Sequence, residues 1–204
     1  MPSLKKQIIK VCQRLESLGF VPATDGNVSA RLDGKSILIT PSMLRKGDIR
    51  ESQLLVTDMA GKVLEGKGRP SSEIKMHLYA YKMRPDVMAI VHAHPPFATA
   101  FAAAGLDLKA PLLPEVALTV GPVPLAKYAT PSTEEVPRSI APLLKKHQAL
   151  LLANHGVLAL GQSLDEALQR MERVEHLAKI SFLAKILGRP AFLNKKKLQG
   201  LLDL

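Results

Sequence analysis

VMAIVHAHPP, residues 87–96, is the stretch whose reading decides the architecture of this chain. Its first five residues are uninterrupted apolar and rich in β-branched side chains, which predicts a buried strand over residues 87–91. The strand runs out into His92-Ala93-His94 and is stopped by Pro95-Pro96. Alternate residues of an extended chain project to one side, so His92 and His94 aim their imidazoles at one point in space. Zn²⁺ accepts such a pair but needs further ligands, and the pair alone leaves two polar loop residues as the alternative.

A second apolar run, residues 149–153, ends in the same manner, in Asn154-His155-Gly156. Strand ends and the loops beyond them are where α/β folds gather functional groups. His155 alone reads as a loop histidine bonded to backbone. Together with His92 and His94 it completes an open tetrahedral metal site with one position left for substrate. The other three histidines do not join this pattern. His77 falls inside a predicted helix beside Tyr79 and Tyr81, His147 follows two lysines, and His176 sits at the border of an apolar helix face, so each reads as packing or surface.

Working outward, Leu4, Ile8, Val11, Cys12, Leu15 and Leu18 recur at helical spacing and Gly19 ends the run, which predicts an opening helix. Asp33-Gly34 and Asp58 with Gly61 divide two pairs of short β-type runs, 28–32 from 36–40 and 54–57 from 62–64, with the turn chemistry of antiparallel hairpins. Residues 71–81 and 97–104 read as helices. Five prolines between 111 and 131 suit a winding segment with a strand over 116–120. Ser132 with Glu135, and Ser163 with Glu166, are spaced as capping boxes for helices running through His147 and to Gly188. The basic tail from Asn194 is expected to be mobile unless Leu198, Leu201 and Leu202 dock it.

The 204 residues, 47% of them apolar, suffice for one compact α/β unit. No uncharged apolar run approaches the roughly 20 residues of a membrane span, so a soluble, cytoplasmic protein is expected. Cys12 is the single cysteine, which excludes an intramolecular disulfide and a thiolate-rich metal site and leaves helix packing as its role. The formal charge of +10 admits three readings: nucleic-acid attraction, attraction of small anions, or a solubilising surface. Aromatic residues make up only 4% of the chain, so stacking platforms for bases are scarce and nucleic acid is the weaker reading.

Glu73 opens a predicted helix in Arg69-Pro70-Ser71-Ser72-Glu73. A carboxylate there suits the helix dipole without further duty. Ser71 and Ser72 are ordinary N-cap residues, yet hydroxyls and free N–H groups at a helix start also receive phosphate. Thr24-Asp25-Gly26-Asn27 and Thr40-Pro41-Ser42 add more small donors at element ends.

The succession TDGNVSAR (24–31), ITPS (39–42), Ser71-Ser72-Glu73, His92-Ala93-His94-Pro95-Pro96, Tyr128-Ala129-Thr130 and Asn154-His155-Gly156 resembles the class II aldolase/adducin family, in its L-fuculose-phosphate aldolase branch. The resemblance spans about residues 4–187. It implies a three-layer α/β/α domain around a mostly antiparallel sheet, assembled as a homotetramer with sites between subunits. It implies His92, His94 and His155 as ligands of Zn²⁺, with Mn²⁺ or Co²⁺ as possible substitutes. Glu73 matches the catalytic acid/base that also ligates the resting metal, and Gly26, Asn27, Ser42, Ser71 and Ser72 match phosphate-binding positions. The implied reaction is reversible aldol cleavage of a ketose 1-phosphate to dihydroxyacetone phosphate and an aldehyde. Metal-dependent pentulose-phosphate epimerisation, sugar-phosphate dehydration or decarboxylation, and a non-catalytic adducin-like role are the alternatives. The chain departs from the pattern in three respects, the first being that no tyrosine follows Tyr128, where relatives use a C-terminal one in proton transfer. Met43 stands where the family commonly has glycine, and Glu115 stands where relatives place a Tyr or Asp serving the neighbouring subunit, as either a second acid/base or a solvated carboxylate.

Overall fold

The computed structural model describes residues 3–203, the Leu202 side chain excepted. Eight strands form one sheet in the order β4-β3-β2-β1-β5-β8-β7-β6. They are β1 (Asn27–Arg31), β2 (Ser36–Ile39), β3 (Leu55–Asp58), β4 (Val63–Glu65), β5 (Ala89–Ala93), β6 (Leu125–Ala126), β7 (Ala149–Leu152) and β8 (Gly156–Gly161). Every neighbouring pair is antiparallel except β6 with β7, which run parallel. The mostly antiparallel sheet expected from the hairpin signals is therefore present. The first turn shows why: Asp33 Oδ1 accepts from the backbone N–H groups of Lys35 (2.7 Å) and Ser36 (2.8 Å), closing the chain back on itself.

Period-two alternation sorts the strand residues onto two faces, each with its own core. Ala30, Leu38, Val91 and Ala159 pack with α1 (Leu4–Ser17), α3 (Pro96–Ala103) and α6 (Leu164–Leu187). Ile37, Ile39, Ile90 and Leu158 face α2 (Ile74–Met83) and α5 (Glu135–Leu144). Helix, sheet and helix make three layers. Ile90 is fully buried at the centre of the second core, where truncation to alanine costs about 2–5 kcal/mol. Cys12 lies in the first core with no exposure, and burial pushes its thiol up to about 12 despite nearby Lys46.

Sequence reading and structure part company in four places. Residues 116–120 are not a strand: Pro114 and Glu115 open a short helix, α4 (Pro114–Thr119), because proline at the first helical position is already set to a helical φ. Ser132 does not cap the following helix. It sits at φ 67, while Thr133 Oγ1 accepts from Glu135 N–H at 3.2 Å, and α5 stops at Leu144 rather than running through His147. α2 begins at Ile74, with Glu73 as its N-cap instead of a residue of its first turn. The tail forms α7 (Lys195–Leu202) against α4, tied down where Leu193 N–H donates to the Pro111 carbonyl at 2.8 Å. The expected docking by Leu202 lies outside the described side chains. The Ser163 cap of α6 is present, its Oγ accepting from Glu166 N–H at 3.1 Å.

Candidate metal centre

β5 and the β7–β8 hairpin deliver the three histidines. His92 is the fourth residue of β5, on the α2 face and paired in register with Asn27 of β1. His94 follows just beyond the strand, its backbone N–H held by the Phe20 carbonyl at 2.8 Å. His155 ends the three-residue turn between β7 and β8, which reverses through Asn154 at φ 55, a left-handed position that asparagine tolerates. Gly156 has to be glycine here, since a Cβ would meet the Ala93 carbonyl oxygen at 2.5 Å and His94 Cδ2 at 2.6 Å. The ligating nitrogens of the three rings come within 4.8 Å of one another.

The donor set fits a divalent cation. His92 Nδ1–H donates to the Val157 carbonyl at 2.8 Å, which leaves Nε2 as a bare lone pair. That lone pair faces Glu73 Oε2 at 2.8 Å and His94 Nε2 at 3.2 Å, so acceptors converge on one volume. Zinc at about 2.0–2.1 Å from each nitrogen sets tetrahedral ligand atoms about 3.4 Å apart, close to these separations. Glu73 Oε1 is buried and accepts no hydrogen bond, with His155 Nε2 3.5 Å away. An orphaned carboxylate oxygen beside three imidazoles is the arrangement a metal ion satisfies. Asp25 Oδ2 lies 3.4 Å from His94 Nδ1, on the ring edge away from the cluster.

Electrostatics agree. Burial holds the His94 imidazole down at about 3 and His155 at about 4, with the neighbouring His92 adding to both, so these two are neutral ligands at neutral pH. Burial also disfavours His92⁺, but the Glu73 carboxylate outweighs it and holds His92 above its ordinary value, so the metal-free site favours a proton on Nε2 toward Glu73, which a cation has to displace to use that lone pair. Burial would raise Glu73; His92 and His155 outweigh it and keep the carboxyl ionised, well below the usual carboxylate range.

A cleft of about 220 Å³ opens beside the cluster, lined by Gly26, Asn27, Ser42, Ser71 and Ser72 together with Glu73, His94 and His155. All five residues assigned to phosphate from the sequence pattern are thus brought together. The Ser42 and Ser71 backbone N–H groups are already bonded to the Arg69 and Thr40 carbonyls, at 2.9 and 3.1 Å, and Ser71 Oγ accepts from Glu73 N–H at 3.3 Å, so what these serines can offer a ligand is their hydroxyl protons. Gly26, at φ +72, admits no side chain: a Cβ would lie 2.5 Å from Val21 Cγ1 and 2.9 Å from the His92 carbonyl oxygen. Glu115 is exposed on α4 and does not line the cleft of its own chain.

A sequence model of the Class II Aldolase and Adducin N-terminal domain matches residues 6–182. The chain belongs to the class II aldolase/adducin family. L-fuculose phosphate aldolase of Escherichia coli K12 is 38% identical over 178 residues, 87% of this chain and 81% of that protein. 3-Oxo-tetronate 4-phosphate decarboxylase of the same strain is 33% identical over 185 residues, 89% of this chain and 87% of that one. A solved L-fuculose 1-phosphate aldolase superposes with a TM-score of 0.91 at 37% identity, covering 100% of this chain and 97% of the other. This class II aldolase is therefore a carbon–carbon lyase by family, and its His92, His94 and His155 group could hold the metal on which such enzymes depend.

Two features of the aldolase site escaped the sequence reading. Lys46 is fully buried, its ammonium donating at 2.7 Å to both the Thr24 and Leu44 carbonyls, so it ties the two cleft loops together. His77, read as packing, is also fully buried, but it lies between polar partners: Nε2 is 2.5 Å from Asn27 Oδ1 and Nδ1 is 2.7 Å from Ser29 Oγ. A spacing could have found it. Glu73, His77 and Tyr81 recur every fourth residue, opposite Asn27, Ser29 and Arg31 at every second. Met43 occupies the glycine-favoured left-handed region at φ 61 and is 78% exposed at the cleft.

Proposed function

We propose that this enzyme cleaves a ketose 1-phosphate reversibly to dihydroxyacetone phosphate and an aldehyde, with zinc, or Mn²⁺ or Co²⁺ in its place, held by His92, His94, His155 and, at rest, Glu73. The observation that carries this reading is the unsatisfied Glu73 Oε1 beside three converging imidazoles, at the wall of a cleft rich in hydroxyl donors. Bound there, the metal supplies Lewis acidity where negative charge develops on the substrate oxygens. Ser42, Ser71 and Ser72 hydroxyls with the Gly26–Asn27 backbone would hold the phosphate and fix the sugar relative to Glu73. In the condensing direction the ionised Glu73 carboxylate would take the proton from the triose carbon that forms the new bond; in cleavage Glu73, released from the metal by substrate, would first take up a proton from water and then return it to that carbon. A second base has to take the proton of the hydroxyl that becomes the aldehyde. Glu115, exposed on α4, can act only on the cleft of a neighbouring copy, which accords with a homotetramer whose sites lie between subunits. We place the enzyme in the cytoplasm as a single domain spanning residues 1–204, acting on small phosphorylated sugars.

Phosphorylated 3-oxo acids are the second reading, favoured by the decarboxylase relative. Loss of carbon dioxide needs the same electron sink and the same proton delivery from Glu73. One experiment separates the two: purified enzyme with a panel of ketose 1-phosphates and 3-oxo acid phosphates, with and without chelator, assayed for released triose phosphate and for carbon dioxide. Chelator-sensitive triose phosphate release supports the aldolase; carbon dioxide alone replaces it with the decarboxylase; turnover that ignores chelator ends both.

A further inference from the structure

Behind Glu73, away from the cleft, a line of polar side chains runs between α2 and β1 through an otherwise apolar core. Asn27, Ser29, His77 and Tyr81 are each 3% exposed or less. Their alignment follows from geometry. Four residues of helix advance about 6 Å and two residues of strand about 6.6 Å, so a stripe of every fourth residue stays in step with a stripe of every second. Glu73, His77 and Tyr81 thereby meet Asn27, Ser29 and Arg31 along the whole line.

The chemistry of each group fixes the direction of every hydrogen bond. A carboxylate only accepts, so the 3.2 Å contact to Glu73 Oε2 comes from Asn27 Nδ2–H. Asn27 Oδ1 then faces His77 Nε2, which must carry the proton. His77 Nδ1 is left bare and accepts from the Ser29 hydroxyl at 2.7 Å. Having given its one proton, Ser29 accepts from Tyr81 O–H at 2.8 Å. The far end is anchored by Arg31, which donates to the Tyr81 carbonyl at 2.8 Å and stacks 4.8 Å over its ring. Every donor points toward Glu73.

We propose that His77, supported by Ser29 and Tyr81, is a positioning residue that locks the Asn27 amide with its N–H toward Glu73 and so fixes the carboxylate in its working orientation. Without His77 the Asn27 amide is free to turn over, presenting oxygen to a carboxylate. A buried polar stripe at this interface adds little stability over a well-packed apolar one, so its rationale lies in orientation rather than in cohesion. Burial holds His77 neutral, consistent with a single tautomer. Its kinetic consequence rests on the function proposed above; its tautomer does not.

Long-range ¹H–¹⁵N spectra of the metal-loaded enzyme should show His77 neutral and protonated on Nε2. An Nδ1-protonated or doubly protonated ring overturns the proposal, whatever the enzyme turns over. For kinetics, His77→Leu should lower kcat about 10–100-fold with KM within about twofold, the usual scale for outer-sphere partners. His77→Gln, whose carboxamide nitrogen replaces the Nε2–H donor, should recover kcat to within a few-fold of the parent. Equal losses in the two variants, or a rise in KM at unchanged kcat, count against it. If His77→Leu does not fold, Ser29→Ala carries the test, with a loosened His77 tautomer preference and a smaller fall in kcat expected, and an unaltered spectrum and kcat contradicting the relay. A correct tautomer in a protein without lyase activity would remove the proposed function and leave the relay standing.

Discussion

At Glu73, burial and two imidazoles, those of His92 and His155, pull one carboxyl in opposite directions, and the imidazoles prevail. Glu73→Gln keeps the shape and the Asn27 contact but has no proton to move. It should still fold cooperatively and lose about 10²–10⁴-fold in turnover, and near-parental rates would remove Glu73 from the chemistry. His94 has a different duty. His94→Ala removes one of the four proposed resting ligands, so added zinc, which should raise the parental melting temperature by mass action, should raise this variant's far less, and an equal rise would take His94 out of the ligand set. Met43 is a matter of backbone rather than contact. A left-handed φ costs a non-glycine residue about 1–2 kcal/mol, against about 0.5–1 kcal/mol for the extra freedom glycine gives the unfolded chain. Since Met43 is largely exposed, Met43→Gly should move the urea midpoint upward by an equivalent of about 0–1.5 kcal/mol; a clear drop would mean the side chain holds the cleft mouth together.

At the scale of elements, α2 and β5 with the β7–β8 turn put four histidines in one neighbourhood, and acid acts on them together. His77 (about 3), His94 (about 3) and His155 (about 4) are depressed in the fold relative to about 6.5 in the unfolded chain. Below 6.5 the unfolded state therefore binds more protons, and stability falls with pH down to about 4. His92, held above its ordinary value, has the opposite sign: its contribution is full below 6.5 and fades as pH rises through the folded value. Three against one leaves a net loss, with each depressed histidine worth up to about 1.4 kcal/mol per pH unit. The urea midpoint of metal-free protein should fall steadily from pH 6.5 to 4.5, and a flat profile would refute buried neutral rings.

The same elements show what could be read in advance. β5, β7 and the long α6 were legible because each carries one uninterrupted pattern, an apolar run or a helical face between a cap and Gly188. The histidines at the strand ends were legible for the same reason. α4 was not: six residues, of which only Val116, Ala117 and Leu118 are apolar besides Pro114, carry too little periodicity to separate helix from strand, and the proline's place at the first turn decided it. β6 is two residues long and exists through its parallel pairing with β7, which no local pattern encodes. His77 and Lys46 were missed because their significance lies in partners 22 to 50 residues distant.

Taken whole, the molecule exposes apolar side chains late in α6, at Phe182, Leu183, Ile186 and Leu187, and Leu106 shares a surface cavity with Phe182. Large exposed apolar residues on one helix face mark a surface that a partner covers. A homotetramer would use such a surface. Ile186→Lys should then shift the light-scattering mass toward smaller species and, if a neighbour completes the cleft as proposed, reduce turnover; an unchanged mass would exclude this face from the interface. Also at this scale, the four non-glycine residues with positive φ among those described, Ala23, Met43, Ser132 and Asn154, all lie in loops that border the cleft or its histidines. Strain is concentrated where ligands are held, as expected of loops fixed by their surroundings.

The sealed Cys12 thiol has a practical side. Pushed up to about 12 and screened from solvent, it offers almost no thiolate to an alkylating dye at neutral pH. A fluorophore attached through Met43→Cys would thus be the sole label on each subunit without prior removal of the native sulfhydryl, and would sit at the cleft mouth as an optical reporter of occupancy.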